Sequence, residues 1–128
     1  MAVPELKHLQ ARIAVIDDNP AVRQSLSVLL QARGYSVESF AGADEILIDI
    51  RPGDFNLYVI DFKMDGLNGI GLLAELRRRG EWAPAVMISG WDAPALDVTA
   101  ERAGFAALVR KPMTQFSLVP VIERLVAP

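Results

Sequence analysis

The sequence predicts an α/β sandwich built around a parallel β-sheet, and three observations support this fold class. Short apolar runs that end abruptly in polar residues recur along the chain, and stretches of helical periodicity separate them. The length of 128 residues suits one compact domain. Hydrophobic residues make up 52% of the chain and charged residues 23%, so a complete core is available. Strands that alternate with helices are expected to form parallel pairs through right-handed crossovers.

Four apolar runs of about four residues are rich in β-branched or small side chains. This composition and length are typical of strands that are buried on both faces. The runs are Ile13–Ile16, Leu57–Ile60, Ala85–Ile88 and Ala106–Val109. A fifth candidate strand, Tyr35–Phe40, mixes apolar residues with Ser36, Glu38 and Ser39. This more polar mixture indicates a strand at the edge of the sheet.

Helical patterns occupy the intervals between the strands. After Asn19, apolar residues recur at helical spacing until Gly34. Pro20 suits the first turn of this helix, where its missing N–H group is not needed. A second helix is predicted from Ile70 to the basic triplet 77–79, whose charges are favourable at a helix C-terminus.

Three further helices have weaker patterns. They are predicted over about Ala43–Ile50, Pro94–Ala103 and Ser117–Val126. The last of them contains Pro120, which would break a long helix. With Ser117 as the N-cap residue, Pro120 falls in the first turn and is tolerated, so this helix is expected to start late.

Composition and charge exclude several classes of protein. The chain has no cysteine, which removes disulfides, thiolate catalysis and cysteine-ligated metal sites. The net charge of −3 and the pI of about 5.1 have the wrong sign for a surface that binds nucleic acid. No apolar run approaches the roughly 20 residues of a membrane-spanning helix, and the first eleven residues lack the apolar core of a secretory signal. We therefore expect a cytoplasmic protein that binds neither nucleic acid nor membrane through this domain.

The polar residues that follow the predicted strands point to a cation site. They are Asp17, Asp18, Asp61, Ser89 and Lys111. Because parallel strands place their carboxyl ends at one edge of the sheet, these side chains are expected to converge there. Three neighbouring carboxylates repel one another unless a cation neutralises them, and oxygen-only ligands favour a hard ion, Mg²⁺ or Mn²⁺. The single histidine, His8, lies in the N-terminal segment and is not placed to contribute a ligand.

The same residues predict phosphoryl chemistry. Asp61 is a candidate nucleophile toward a phosphoryl group, with the cation and Lys111 stabilising the developing charge. Ser89 is placed to donate a hydrogen bond to a phosphoryl oxygen once one is attached.

Each of these residues also has a simpler interpretation when taken alone. Asp18 or Asn19 would serve as an N-cap of the following helix, Ser89 as a turn residue, and Lys111-Pro112 as a common loop dipeptide. Their joint occurrence at the ends of successive strands favours the functional interpretation.

The sequence resembles the response-regulator receiver family of two-component signalling systems from about Arg12 to Val126. The matching segments are Ile16-Asp17-Asp18-Asn19, Val59-Ile60-Asp61, Met64, Gly69, Ile88-Ser89-Gly90 and Lys111-Pro112. The resemblance implies a three-layer, flavodoxin-like (βα)5 sandwich whose five-stranded parallel sheet has the order 2-1-3-4-5. It divides the chain into an N-terminal extension, residues 1–11, and a receiver domain, residues 12–128.

The resemblance also implies roles for individual residues. Asp61 is the phospho-acceptor. The groups that would bind Mg²⁺ or Mn²⁺ are Asp17, Asp18, Asp61 and the backbone carbonyl of Lys63. The groups that would bind the phosphoryl group and act as the switch are Ser89, Gly90 and Lys111. The Lys111–Pro112 peptide bond would be cis.

Members of this family take their phosphoryl group from a sensor histidine kinase or a histidine phosphotransfer protein. That partner usually docks on the first helix and nearby loops. A receiver promotes its own phosphorylation and dephosphorylation and is not a turnover enzyme on an external substrate. The cognate kinase, the downstream effector and homodimer formation stay open, as does whether the chain is a single-domain regulator or part of a longer one.

Three features depart from the family pattern. Asp65 stands where proline is frequent, which adds negative charge near the pocket and loosens the loop Phe62–Gly69. Leu108 replaces the aromatic residue that usually forms the second half of the switch. Lys63 and Trp91 occupy the two variable positions that influence hydrolysis of the acyl phosphate. We hypothesise that Trp91 shields the phosphoryl group and that Lys63 adds a cation, which gives a long-lived phosphorylated state; alternatively, Trp91 lies against the loop without effect.

Other functions compete with this interpretation. A degenerate receiver that acts as a phosphorylation-independent protein-interaction module is the main alternative, and Asp65 and Leu108 motivate it. A phosphatase of the haloacid-dehalogenase type would need a second aspartate two residues after its nucleophile, where this chain has Lys63. Flavin binding on the same fold would need a phosphate-cradling loop after the first strand, where Asp17 and Asp18 would repel a phosphate.

Overall fold

The computed structural model describes residues 11–64, 66–90 and 95–126, and within them five strands alternate with five helices. The strands are β1 (Arg12–Ile16), β2 (Ser36–Phe40), β3 (Leu57–Asp61), β4 (Ala85–Ser89) and β5 (Ala107–Arg110). The helices are α1 (Pro20–Gln31), α2 (Ala43–Leu47), α3 (Gly69–Arg78), α4 (Leu96–Ala103) and α5 (Gln115–Val126). None of the described helices has the length and apolar character that crossing a membrane requires.

The five strands form one parallel sheet in the order β2-β1-β3-β4-β5, which confirms the flavodoxin-like topology. Every residue of β3 and β4 is buried, because both strands lie inside the sheet and are covered on both faces. β2 lies at one edge and has no fully buried residue, as its polar composition predicts. This order makes the carboxyl ends of β1, β3 and β4 neighbours at one edge of the sheet.

Alternate strand residues point to opposite faces and build two hydrophobic cores. On one face, Ile13 and Val15 pack with residues of α1 and α5, namely Leu26, Leu30, Leu118 and Ile122. On the other face, Ala14 and Ile16 pack with residues of the remaining helices, namely Ile46, Leu72, Leu73, Leu76, Leu96 and Ala100. The sheet is therefore the middle layer of a three-layer sandwich.

The start of α1 is set by a side-chain cap directly after the acidic pair. Asn19 Oδ1 accepts hydrogen bonds from the backbone nitrogens of Ala21 and Val22, at 2.9 and 3.2 Å. Pro20 occupies the first helical turn, as predicted. The cap fixes the direction in which the chain leaves β1, and it therefore fixes the backbone around the residues that follow this strand.

Three helices differ from the sequence prediction, and one of them, α4, begins at Leu96 rather than at the predicted Pro94. α2 ends at Leu47, three residues before the predicted end at Ile50. α5 begins at Gln115, so the prediction that Ser117 is its N-cap is wrong. Thr114 takes this role: its hydroxyl oxygen accepts from the backbone nitrogen of Ser117 at 3.2 Å, while the nitrogen of Thr114 donates to Ser117 Oγ at 3.0 Å.

As a result, Pro120 lies inside α5 rather than in its first turn. Its ring nitrogen provides no hydrogen for the helical ladder there. Leu118, Val119 and Ile122 are nevertheless buried, so apolar packing on the sheet holds this part of the helix in place.

Candidate functional site

Three carboxylates meet at the carboxyl ends of β1 and β3. Asp17 and Asp18 directly follow β1, and Asp61 is the last residue of β3, the neighbouring strand. Oxygen atoms of the three carboxylates lie within 4.8 Å of one another. Asp17 is fully buried and Asp61 is 4% exposed, whereas Asp18 is exposed. We call these three residues, together with Lys111, the acidic pocket.

Several polar groups hold Asp17 in a single orientation. Its backbone nitrogen donates to the carbonyl oxygen of Phe40 in β2, at 3.1 Å. Its Oδ1 atom accepts a hydrogen bond from the backbone nitrogen of Asn19 at 2.9 Å. Its carbonyl oxygen accepts one from Arg23 Nη1 of α1 at 2.7 Å. The Oδ2 atom of Asp17 is left to face the pocket.

Lys111, which follows β5, brings its ammonium group into the pocket. Its Nζ atom lies 2.9 Å from Asp17 Oδ2 and 3.3 Å from Asp61 Oδ1. Burial alone would lower the pKa of Lys111, but the hydrogen bond to Asp17 and the charges of Asp61 and Asp17 raise it above its ordinary value. Lys111 therefore stays protonated and partly neutralises the carboxylates.

One ammonium does not balance three carboxylates, and Asp61 shows the consequence. Burial first, and then the charge of Asp17, raise the pKa of Asp61 to about 6, although Lys111 acts in the opposite direction. A carboxylate in this position is more basic than an exposed aspartate. It gains most from an additional positive charge close by.

The residues present fit a hard divalent cation. Asp17 Oδ2 is buried, and Lys111 Nζ contacts it at 2.9 Å from one side, which leaves the lone pairs of this oxygen that face Asp18 and Asp61 available to an ion. The donors around it are carboxylate oxygens, the ligand type that Mg²⁺ and Mn²⁺ prefer. Within the described residues, this is also the sole group of three acidic or imidazole side chains that are close enough to share an ion.

Ser89 and Gly90 lie beside the pocket at the end of β4. Ser89 is buried, and its carbonyl oxygen accepts a hydrogen bond from the backbone nitrogen of Lys111 at 2.8 Å. A Cβ atom at Gly90 would lie 3.6 Å from Lys111 Cδ, so Gly90 borders the lysine side chain. The Lys111–Pro112 peptide bond is cis, as the resemblance implies. The ends of β4 and β5 thus bring Ser89, Gly90 and Lys111 together.

Gly69, at the start of α3, allows a close backbone approach to Asp61. A Cβ atom at this position would lie 2.5 Å from the carbonyl oxygen of Asp61 and 3.1 Å from the Cα atom of Phe62. The nitrogen of Gly69 donates to the carbonyl oxygen of Phe62 at 2.9 Å. A side chain at residue 69 would push α3 away from the end of β3, which explains physically why glycine belongs here.

The structure gives the positions of some of the remaining residues that the sequence singled out, whereas others lie outside the described residues. Lys63 is exposed and lies two residues beyond Asp61. Trp91 and Asp65, for which sequence reasoning predicted effects on the phosphorylated state and on the loop, fall outside the described residues, as does His8. Leu108 of β5 is paired with Met87 of β4, and it packs against the core that contains Leu96 and Ala100 of α4.

Sequence reasoning missed Arg23, which contacts the backbone of Asp17. A signal was present, because Arg23 lies four residues after the N-cap Asn19 and therefore one turn above it on the same side of α1. That spacing places a long cationic side chain beside the end of β1.

Comparisons with known proteins agree with this geometry. Residues 13–123 match the family described as the response regulator receiver domain. The chain is 32% identical over 121 residues to response regulator protein TodT of Pseudomonas putida, covering 92% of this chain and 53% of TodT. It is 35% identical over 115 residues to transcriptional regulatory protein FixJ of Bradyrhizobium diazoefficiens, covering 89% of this chain and 56% of FixJ. The chain thus spans about half the length of these curated relatives.

A solved structure supports the fold. The chemotaxis protein CheY4 of Vibrio cholerae superposes with a TM-score of 0.83 at 24% sequence identity, covering 91% of this chain and 98% of CheY4. The topology, the polar residues at the strand ends and the match over most of the chain lead to one conclusion. This chain belongs to the response regulator receiver domain family of two-component signalling.

Proposed function

We propose that the chain receives a phosphoryl group on Asp61 in a reaction that requires Mg²⁺ or Mn²⁺, and that this event switches a signalling surface. The observation that carries the proposal is the acidic pocket: three carboxylates with oxygens within 4.8 Å of one another, and one ammonium between two of them. A general role in a phosphorelay follows from the family. The acceptor residue, the ion and the partner are our proposals.

The pocket provides the ligands for the ion. Asp17, Asp18, Asp61 and the backbone carbonyl of Lys63 would bind it. When bound, a divalent cation neutralises charge on the carboxylates and on the transferring phosphoryl oxygens. Asp17 is already oriented for this by its backbone and side-chain hydrogen bonds, so little rearrangement is needed.

The transfer is a substitution at phosphorus. An Asp61 carboxylate oxygen forms a bond to phosphorus while the bond from phosphorus to the donor's histidine nitrogen breaks, and the nitrogen keeps the electron pair. Lys111 moves from pairing with Asp61 to pairing with a phosphoryl oxygen. The Ser89 hydroxyl and the region of Gly90 then contact the remaining oxygens of the phosphoryl group. The new anion on Asp61 thereby changes what Ser89 and Lys111 contact, which is the local event of the switch.

The donor is a sensor histidine kinase or a histidine phosphotransfer protein. A groove of about 730 Å³ supports such a contact, because it starts at Asn19 and Lys111 and runs between α1 and residues 111–115. Its walls include Val22, Leu26, Leu29 and Met113. An apolar groove that opens beside the nucleophile would let a partner place its phosphohistidine over Asp61.

Intact mass spectrometry after incubation with acetyl phosphate and Mg²⁺ tests the proposal. We expect one added phosphoryl group on the parent chain, no addition when EDTA replaces Mg²⁺, and no addition to Asp61→Asn. Glu101→Gln, which removes an exposed carboxylate of α4, is the matched control and should be phosphorylated like the parent. Phosphorylation of Asp61→Asn at the parental rate would show that another residue is the acceptor.

A second candidate function is a protein-interaction module that works without phosphorylation. Leu108 favours it, because the aromatic half of the usual switch is missing at this position of β5. The same mass experiment separates the two functions. A parent chain that folds but gains no phosphoryl group with acetyl phosphate and Mg²⁺ would favour the interaction module.

A further inference from the structure

Arg23 of α1 joins the helix to the backbone of the acidic pocket. Its Nη1 atom donates a hydrogen bond to the carbonyl oxygen of Asp17 at 2.7 Å, and the residue is partly buried. This carbonyl belongs to the peptide group that connects Asp17 to Asp18. Because a peptide group is planar, fixing its oxygen also restricts where the nitrogen and the Cα atom of Asp18 lie.

The Arg23 bond completes a set of anchors around one residue. Phe40 of β2 holds the backbone nitrogen of Asp17, Asn19 holds its Oδ1 atom, and Arg23 holds its carbonyl oxygen. Together these bonds leave Asp17 Oδ2 as the atom that faces the other carboxylates and Lys111. Arg23 supplies the one anchor in this set that comes from a side chain, because the groups of Phe40 and Asn19 are backbone atoms.

We propose that Arg23 is a positioning residue for the cation pocket. By holding the peptide between Asp17 and Asp18, it keeps both carboxylates aimed at the ion, and without it the pocket binds the ion more weakly. This inference rests on the proposed function, because it assigns a role to Arg23 toward the divalent cation.

Charge and position predict opposite effects when Arg23 is removed. Arg23 is a cation near a cation site, so its electrostatic contribution alone opposes binding of a second cation, and its loss would tighten binding. Loss of positioning instead weakens binding, as for other groups that orient metal ligands. The sign of the change in affinity therefore identifies the role.

The experiment is a titration of the full chain with Mn²⁺, followed by the electron paramagnetic resonance signal of the free ion, with Mg²⁺ affinity obtained by competition. Arg23→Met keeps most of the aliphatic stem and removes the donor, and we expect its dissociation constant to rise on the order of tenfold. Arg102→Met is the matched control: it removes the same charge from an exposed position in the last turn of α4, and its affinity should match the parent's.

A second variant guards against misfolding of the first. Arg23→Gln keeps a polar group at the helix surface, but its side chain is shorter, so it should weaken binding in the same direction. Circular dichroism with EDTA identifies which variants are folded. If every folded Arg23 variant binds Mn²⁺ as tightly as the parent or more tightly, the positioning role is wrong.

The titration also distinguishes this inference from the proposed function. A parent chain that binds no Mn²⁺ or Mg²⁺ would overturn the cation site itself and the role of Arg23 with it. A parent that binds the ion, with Arg23→Met equal to Arg102→Met, would overturn the role of Arg23 alone and leave the proposed cation site in place.

Discussion

The protein buries carboxylates at both ends of its sheet, and the two ends treat them differently. At the amino end, Glu81 precedes β4 and is 3% exposed. Its Oε2 atom accepts a hydrogen bond from the backbone nitrogen of Gly53 at 2.9 Å, and its Oε1 atom accepts one from that of Ala83 at 3.3 Å. Arg77 of α3 donates to the carbonyl oxygens of Glu81 and Ala83, at 2.9 and 2.8 Å. This buried acid is held by fixed backbone donors.

At the carboxyl end, the buried acids face one another instead. Asp17 and Asp61 both pair with the ammonium of Lys111, and burial together with the charge of Asp17 raises the pKa of Asp61 to about 6. The protein thus contains two kinds of buried carboxylate, and their surroundings distinguish them. One whose oxygens are satisfied by backbone N–H groups ties loops together, whereas one surrounded by like charges lowers stability until a cation arrives.

Removing an acid from the pocket gives the largest expected effect. Asp17→Asn keeps the oxygen that Asn19 binds and removes one negative charge, so Mn²⁺ affinity should fall on the order of a hundredfold. Without metal, its free energy of unfolding should be no lower than the parent's, because repulsion from Asp61 is relieved. Titration with Mn²⁺ and urea denaturation in EDTA measure the two quantities. A marked loss of stability in EDTA would show that Asp17 is held like Glu81.

Glu81→Ala should have the opposite pattern. It removes the charged acceptor of two partly buried hydrogen bonds, from the nitrogens of Gly53 and Ala83, so the free energy of unfolding should fall by about 1–3 kcal/mol. Mn²⁺ affinity should be unchanged, because Glu81 lies at the other end of the sheet. Urea denaturation measures the first effect, and Glu101→Ala, an exposed glutamate of α4, should stay within about 0.5 kcal/mol of the parent. Equal stabilities for the two variants would contradict the structural role of Glu81.

The raised pKa of Asp61 predicts a specific pH dependence in the absence of metal. The unfolded chain loses this proton near pH 4 and the folded chain near pH 6, so the folded state binds more protons between these values. Stability contributed by protonated Asp61 is therefore present at low pH and is lost as pH rises from about 4 to about 6, by up to about 2 kcal/mol. Urea denaturation across this range should show the loss in the parent and a smaller one in Asp61→Asn. If the stability of the parent and that of Asp61→Asn depend on pH in the same way, Asp61 is not the source of the loss.

The sequence was sufficient to predict the sheet and the residues that meet at its carboxyl end. Four apolar runs became strands, and the three in β1, β3 and β4 are buried as predicted. The fourth, in β5, was also expected to be buried on both faces, but β5 is the second edge strand and only Val109 is buried there. The polar mixture of Tyr35–Phe40 marked the other edge correctly. Parallel strands place their carboxyl ends at one edge of the sheet, and the order 2-1-3-4-5 that the resemblance implies makes β1 and β3 neighbours. The crossover rule and the resemblance together therefore predicted that Asp17 and Asp61 meet.

Other features depend on contacts that no local pattern records. Glu81 is an ordinary polar residue in a turn until the loop of Gly53, 28 residues earlier, comes to lie against it. The start of α5 was misplaced because Thr114 and Ser117 are equally good caps by type, and only their reciprocal hydrogen bonds decide between them. Arg23 was overlooked because its partner is a backbone carbonyl, and its spacing of four residues from Asn19 does not by itself identify that partner.

The two tryptophans provide the test with the smallest expected effect, because in the sequence one precedes β4 and the other follows it. Trp82 precedes the strand, is exposed, and has its ring 5.6 Å from the guanidinium carbon of Arg77. Trp91 follows Ser89 and Gly90 in the sequence, and we hypothesise that it shields the phosphoryl group on Asp61 from water. Trp91→Ala should therefore shorten the lifetime of phosphorylated Asp61, because water then reaches the acyl phosphate more easily.

Trp82→Ala is the matched control, since it removes the same side chain at the amino end of the sheet. It should lose about 0.5–1 kcal/mol of stability with the contact to Arg77 and leave the phosphorylated lifetime unchanged. The lifetime is measured by removing acetyl phosphate, keeping Mg²⁺ present, and following the phosphorylated fraction of the chain by intact mass spectrometry. If phosphorylated Asp61 decays at the parental rate in Trp91→Ala, the shielding hypothesis is wrong. If its lifetime is shortened equally in both variants, the cause is a general loosening of β4 and not the loss of a side chain near the acidic pocket.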